Sequence, residues 1–426
     1  MAARPAKMSG FIGSLRSGAW LTRERMRMVA LAMLGVSLIG AALLIATSNG
    51  LLDWFGRPLG TDFGGIYAAG HEVLEGHPLA PFDLAAHYAK QKAIFGAATP
   101  FYSWHYPPFY LGIVVLLALM PFALSLAVWQ GVTFAFYLLA IRAILTSQLP
   151  RLGESDTGKL WLLLAVAFPA VFINLGHGHN GFLTASLFSG GLLLLDRRPI
   201  VAGILFGCLI YKPQFGLMIP VVLIAGERWR AFAAAAATVI VLSLAATLAF
   251  GPEVWTTFLA STKFTREVVL ETNEIGWNKI QSTFSWVRMW GGGVTLAYAA
   301  QGAMAVFAAA SLAWLWRSRA PYAIKAAALP LATLLATPYS IDYDLMLLAP
   351  AIAYLAADGV TRGFSSWQKT ILAALWIMPL VTRSMAEVTH IPLTVPTILL
   401  AFGILLRRAI DNTGAAPASG NLPREA

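Results

Sequence analysis

The stretch MVALAMLGVSLIGAALLIAT, from Met28 to Thr47, decides the fold, because twenty residues pass without a charge. As α-helix that length spans a hydrocarbon core about 30 Å thick. Arg16, Arg23, Arg25 and Arg27 precede it. The run is longer than a signal-peptide core and has no small-x-small cleavage site, so we expect a retained anchor with residues 1–27 as a cytoplasmic basic segment. Similar runs recur as far as Leu406. They cover about 28–48, 107–121, 123–145, 159–175, 180–195, 199–211, 213–226, 231–250, 293–316, 321–338, 343–357, 369–383 and 392–406.

The rest of the composition agrees. Of 426 residues, 58% are hydrophobic and 12% charged, against roughly 45–50% and about 25% in soluble domains. A soluble enzyme is excluded. The expected fold is an all-α polytopic membrane protein with ten to thirteen transmembrane helices over residues 28–406, followed by a disordered tail over 407–426. The single cysteine, Cys208, excludes an intrachain disulfide. A net charge of +10 would suggest nucleic acid in a soluble protein. Here the basic residues stand at the ends of apolar runs, as in cytoplasmic loops, and no nucleic-acid partner is expected.

Alternation places Arg197 with Arg198, Arg228 with Arg230, Arg317 with Arg319, Arg362 with Lys369, and Arg407 with Arg408 on the cytoplasmic side, together with the N-terminus. Ends on one side require an even number of crossings, so one of thirteen runs does not cross, and the interval from Pro107 to Leu175 is where we expect it. Breaks at Gly176–Gly181 and Lys212-Pro213 would mark a site, since irregular backbone at membrane depth survives only where protein buries it or it lines a wet cavity. Two polar stretches, 49–106 and 251–292, fall on the outer face. The first has apolar residues at helical spacing, Phe63, Ile66, Tyr67, Val73 and Leu74, then Phe82, Leu84, Tyr88 and Phe95, which reads as amphipathic helices lying on the membrane.

Several residues at these boundaries have the chemistry of a site. Asp62, in Thr61-Asp62-Phe63-Gly64-Gly65, either caps a helix or serves as a general base over a cavity between the spans. His105 and Tyr106, in Trp104-His105-Tyr106-Pro107-Pro108, fit an interfacial belt at a helix start or face that cavity. His179 and Asn180 lie in Gly176-His177-Gly178-His179-Asn180-Gly181, where three glycines interrupt two apolar runs. Hydrogen bonding to a sugar or phosphate and a plain turn both fit. A metal fits poorly, because histidines two apart do not share a helix face. Lys212 is an ionisable residue at membrane depth, whose reading is either a lipid-phosphate partner or a snorkelling side chain. Arg288 belongs, with Lys263, Arg266 and Lys279, to a basic outer segment suited to an anionic head group. Asp342 and Asp344 form a second acid/base site or simply cap the next span.

Taken in order, Asp62-Phe63, Tyr67-Ala68-Ala69-Gly70, Gly76-His77-Pro78, Tyr106-Pro107-Pro108, Gly178 to Gly181, Tyr211-Lys212-Pro213, Gln281-Ser282 before Arg288, and Thr337-Pro338-Tyr339 resemble glycosyltransferase family 87. These are polytopic enzymes of the GT-C class that include mycobacterial mannosyltransferases using polyprenyl-phosphate mannose. The resemblance covers roughly residues 50–350. It implies a GT-C-type fold, an outward-facing cavity, a polyprenyl-phosphate sugar donor, and a catalytic Asp in the first outer loop, which matches Asp62. It assigns donor-phosphate binding to Lys212 and Arg288. His105, Tyr106, His179, Asn180, Asp342 and Asp344 are then sugar or acceptor contacts.

Two departures bear on the sugar and acceptor. Gly178-His179-Asn180 stands where the family often has Gly-Gln-x-Asn, and Asp342-Tyr343-Asp344 stands where mannosyltransferase members tend to carry a histidine. The expected activity is transfer of a hexosyl, first of all mannosyl, residue to a lipid or glycan acceptor at the outer face of the plasma membrane. No cofactor is required by the sequence, no metal ligand set is expected, and the part of a divalent cation stays open. The rivals are a transporter or flippase of lipid-linked sugars and an O-antigen ligase or polymerase-like transferase.

Overall fold

The computed structural model describes residues 10–149, 156–274 and 276–414. The chain opens with α1 (Phe11–Ser17) and the long α2 (Arg23–Ala46), and its first long loop carries α3 (Asp62–Leu74) and α4 (Leu84–Phe95). There follow α5 (Leu111–Ala118), α6 (Phe122–Gln148), α7 (Asp156–Val166), α8 (Pro169–His177), α9 (Gly181–Leu194), α10 (Pro199–Cys208), α11 (Pro213–Gly216), α12 (Ile219–Ala225) and α13 (Trp229–Phe250). The second long loop holds α14 (Glu253–Arg266) and α15 (Thr283–Met289). Then α16 (Val294–Arg317), α17 (Tyr322–Ala336), α18 (Leu348–Arg362), α19 (Gln368–Thr389) and α20 (Thr394–Gly414) complete the bundle. Among the described residues there is no β-strand, only isolated bridges.

Among the described residues seven helices are long and apolar enough to cross a membrane, and five shorter apolar helices accompany them. The protein is therefore an all-α polytopic membrane protein. Pro108–Ala118, inside the interval singled out by parity, is one of the short ones. Its eleven residues rise roughly 16 Å, about half a hydrocarbon core. The helices divide sharply by environment. Only 6% of the apolar window of α2 is buried against 83% for Asp342–Arg362, so α2 faces lipid while α18 and its leading turn form the centre of the bundle. Packed against α18 is α17, buried from Ala323 to Ala336 except at Lys325.

The loops that alternation assigned to one side do lie together. Arg228 pairs with Asp196 at 2.6 Å, Lys325 donates to the Trp316 carbonyl at 3.1 Å, and the Tyr322 hydroxyl reaches the Leu192 carbonyl. Nearby, Asp358 receives Arg408 at 2.9 Å and Arg362 at 3.4 Å, and Trp367 donates its backbone N–H to the Arg16 carbonyl at 2.7 Å. This anchoring holds α20 as helix through Arg407 and Arg408 to Gly414, so no disordered tail starts at 407. Residues 415–426 lie outside the described residues.

The first long loop departs from expectation in an instructive way. Helix α4 turns His87, Gln91 and Phe95 inward and leaves Leu84 exposed, so its buried face is largely polar and not the expected apolar stripe. Helix α3 does not lie on a membrane surface: Phe63 to Gly70 and Glu72 are all buried in protein. Its glycines make this possible. A Cβ on Gly70 would fall 2.3 Å from the Val114 carbonyl oxygen, and one on Gly65 would fall 2.9 Å from that of Tyr102. Small residues thus let α3 seat directly against the backbone of α5 and of residue 102, which places Asp62 at the edge of the transmembrane core.

Candidate active site

Five chain segments converge around Asp62. Its own backbone is fixed by Phe63 N–H donating to Gly60 O at 2.6 Å and Gly64 N–H to Thr61 O at 2.9 Å. Thr61, with φ of 20°, occupies a region uncommon for a β-branched residue, and such outliers gather at functional sites. Thr61 is the helix N-cap and makes no side-chain cap bond, so the capping reading of Asp62 does not hold. Its carboxylate lies 3.7 Å from His177 Nδ1, and 31% of the side chain is open. His177 is brought there by the break after α8. Gly178 turns with φ of +61°, and a Cβ there would meet Phe63 Cβ at 2.6 Å. The Thr61 hydroxyl lies 3.0 Å from the same His177 nitrogen.

Behind this pair stands a polar wall built from the interruptions the sequence singled out. The Tyr106 hydroxyl lies 3.0 Å from His179 Nε2 and accepts from Asn180 Nδ2 at 2.9 Å. His179 stacks on Tyr343, with ring centroids 3.6 Å apart. Asn174 closes the turn by accepting from Gly181 N–H at 2.7 Å and donating to Gln130 Oε1 at 3.2 Å. Two polar atoms in this wall, His179 Nδ1 and Asn180 Oδ1, are buried without a protein partner. A buried polar atom without a partner is uncommon and marks a place where a ligand or water completes the bonding.

Lys212 enters at the second interruption, between the short turn Leu209–Tyr211 and α11. Its Nζ is 2.5 Å from Asp344 Oδ1, with only 6% and 1% of the two side chains exposed. The other Asp344 oxygen accepts from Ile341 N–H at 3.0 Å, so Asp344 both caps the turn before α18 and neutralises Lys212. Asp342 accepts from the Tyr343 N–H at 2.9 Å and faces the Arg383 guanidinium at 3.6 Å.

The second long loop reaches this cluster through a small second core of Val269, Leu270, Ile280, Phe284 and Ala297. It is tied to residue 340 by Gln281 N–H donating to Ser340 O at 2.7 Å. That tether places Lys279 near Asp62. Burial, together with the Arg383 charge, lowers the Lys279 ammonium from its ordinary value. Burial likewise pushes the Asp62 carboxyl up. His177 is the largest opposing influence, Asp342 adds to the rise, and Lys212 and Lys279 oppose it.

The structure thus brings together Asp62, Tyr106, His179, Asn180, Lys212, Asp342 and Asp344. It places two other expected residues elsewhere. Arg288 donates to the Gly292 and Glu271 carbonyls at 2.8 and 3.1 Å and stacks over Trp277, so it braces its own loop. His105 Nδ1 bonds the Thr265 hydroxyl at 2.9 Å and links the segment before α5 to α14. Burial lowers its imidazole to about 4, which keeps the ring neutral. Sequence reading did not select His177, Lys279, Arg383 or Tyr343 as site residues. The first lies in the same glycine-rich interruption as His179, and the last between the two selected aspartates. Lys279 stood in the basic outer segment, and nothing local marks Arg383.

The site is thus a recessed carboxylate at the start of a buried helix, set beside His177, Lys212 and Lys279, with Arg383 next to Asp342. The chain belongs to glycosyltransferase family 87: the model of that family matches residues 104–338, more than half of the sequence. The matched stretch contains His105, Tyr106, His179, Asn180, Lys212 and Arg288, and leaves Asp62, Asp342 and Asp344 outside it. Comparison with curated proteins and with solved structures gives no match. The protein is accordingly a glycosyltransferase with membrane-spanning helices.

Proposed function

We propose that this glycosyltransferase moves a hexosyl residue, mannosyl first among them, from a polyprenyl-phosphate sugar to a hydroxyl of a lipid or glycan acceptor at the outer face of the plasma membrane. One observation carries the reading: the Asp62 carboxylate is recessed at the start of a buried helix, accepts no hydrogen bond among the described residues, and keeps 31% of its side chain open beside His177. A carboxylate held ready in this way is suited to take a proton. In the proposed step Asp62 removes the acceptor O–H proton, the acceptor oxygen forms the bond to the anomeric carbon, and the carbon–oxygen bond to the donor phosphate breaks. Its electron pair leaves with the polyprenyl phosphate, and the anomeric centre inverts. Lys279 and Arg383, with Lys212 behind them, supply the positive field for that leaving group.

The basic loop ends on the opposite side of the bundle support the outer-face assignment through the excess of Lys and Arg on cytoplasmic loops. The orphaned His179 Nδ1 and Asn180 Oδ1 are positioned to bond sugar hydroxyls. The test is transfer from radiolabelled polyprenyl-phosphate mannose, and then other polyprenyl-phosphate hexoses, by purified protein in membranes beside Asp62→Asn. Transfer by the wild type that disappears in the variant at equal expression supports donor class and base together. Absence of transfer with every donor, or equal transfer by both proteins, removes the proposal.

A further inference from the structure

A second concave site lies at the far end of α3. A groove of about 870 Å³ opens between the end of α3, the start of α4 and the corner joining α13 to α14. The volume is within the range of ligand pockets. Its polar lining is rich in carboxylates, Glu72, Glu75, Asp83 and Glu253, beside Lys90, His77 and the Thr257 hydroxyl. Lys90 is already paired with Glu75, and one Asp83 oxygen accepts from Ala86 N–H at 2.9 Å.

An acidic cluster alone means little, and the informative group here is Glu72. It is 2% exposed, and its Oε2 pairs with His87 Nδ1 at 2.9 Å. Its Oε1 has no partner, nor has His87 Nε2. A carboxylate enclosed with half of its acceptor capacity unused is costly, and a donor supplied by a ligand relieves that cost.

The chemistry of the groove narrows the occupant. Lipid phosphate is repelled by the excess of carboxylates. A divalent cation needs converging ligands, and no group of three or more His, Cys, Asp or Glu side chains among the described residues converges in that way. Pro78, Ala86, Ala89 and Phe250 give the groove apolar walls, and its volume is far larger than one ammonium group. A neutral sugar chain presents both surfaces this site can use, hydroxyl donors for the carboxylates and C–H faces for the walls.

We propose that the groove is a carbohydrate subsite that holds the outer sugars of the acceptor. This rests on the transferase reading above, and it adds that the acceptor is a glycan long enough to extend from Asp62 to Glu72. Ten residues of α3 separate the two, roughly 15 Å at 1.5 Å per residue. The subsite makes acceptor length a determinant of affinity, separate from the chemistry at Asp62.

Binding without donor tests it. Wild-type protein in nanodiscs is titrated with neutral tri- to hexasaccharides of mannose, glucose, galactose and arabinose, beside Ala89→Trp, which fills the groove from an exposed position, Glu253→Gln, and Arg288→Lys as the control outside both sites. The expected result is saccharide binding that falls at least tenfold in Ala89→Trp and Glu253→Gln and is unchanged in Arg288→Lys, whose side chain braces its own loop. Failure of every saccharide to bind wild type, unchanged binding in both groove variants, or preferential binding of ethanolamine would overturn the subsite. Saccharide binding with this mutational pattern but no glycosyl transfer would instead leave the subsite standing and remove the transferase assignment at Asp62.

Discussion

Two acid–base pairs stand in the same site and are built in opposite ways. Lys212 and Asp344 are in hydrogen-bond contact at 2.5 Å and almost wholly enclosed, with the second Asp344 oxygen also bonded to Ile341 N–H. Asp62 and His177 stand 3.7 Å apart and are each 31% open. The first pair has satisfied its own charges, and a ligand could use Lys212 directly only by breaking it. The second leaves a carboxylate able to accept a proton. The difference teaches that charge at membrane depth does not itself identify the reacting group. The state of pairing does, and on that measure rests the proposal that Asp62 reacts while Lys212 positions the turn before α18 and contributes field.

The largest effect that could break this comparison is expected at Asp62. Asp62→Asn removes the base while keeping shape, and we expect transfer to fall by about 10²–10⁴, with the thermal unfolding of the purified protein unchanged. A variant that lost stability in step with activity would place Asp62 among the structural pairs.

The next effect is on stability. Lys212→Met strands Asp344, and Asp344→Asn strands Lys212; each is expected to cost about 3–5 kcal/mol, because one buried charge is left uncompensated. The double variant should recover most of the loss, as seen by thermal unfolding in detergent. Additive losses in the double variant would show that the two groups do not act as a pair.

Much of this was legible in the sequence. The long apolar runs, the clustering of basic loop ends with one another, and the breaks at Gly178 and at Lys212-Pro213 follow from hydropathy, charge and backbone chemistry, and the structure has each of them. The position of α3 was not legible. Its apolar spacing was read as a surface stripe, whereas the close approach of Gly65 and Gly70 to backbone carbonyls depends on which neighbour the helix meets. The Lys212–Asp344 contact spans 132 positions, and the Arg383–Asp342 contact joins α19 to the turn before α18; no local pattern encodes either. Arg288 shows the reverse case, a basic residue in a segment suited to anions whose donors go to its own loop carbonyls.

Lys279 and Arg383 sharpen the comparison from the side of the leaving group. Neither is enclosed in the way Lys212 is, and burial, with repulsion from Arg383 added, lowers the Lys279 ammonium, so an anion beside the two cations is favoured. Lys279→Gln is expected to raise the KM for the polyprenyl-phosphate donor about tenfold, in line with the roughly 1.5–3 kcal/mol of a hydrogen bond to a charged group. Arg288→Lys should leave donor KM nearly unchanged. Steady-state kinetics over donor concentration separates the two, and the opposite ranking would return the phosphate site to Arg288.

The smallest and most diagnostic effect is a pH shift at His177. Burial raises the Asp62 carboxyl above its ordinary value, and the neighbouring His177 is the largest influence holding it down. Because a general base works only when deprotonated, activity should fall as pH drops through the Asp62 value, with an acidic limb above that of an ordinary aspartate. His177→Asn removes that influence, so the Asp62 carboxyl rises further and the limb moves to higher pH. Near the alkaline plateau the variant should retain most of its activity. Loss of transfer at every pH would instead mean that His177 itself takes the proton, and a limb displaced to lower pH would mean that His177 does not act on Asp62 through its charge.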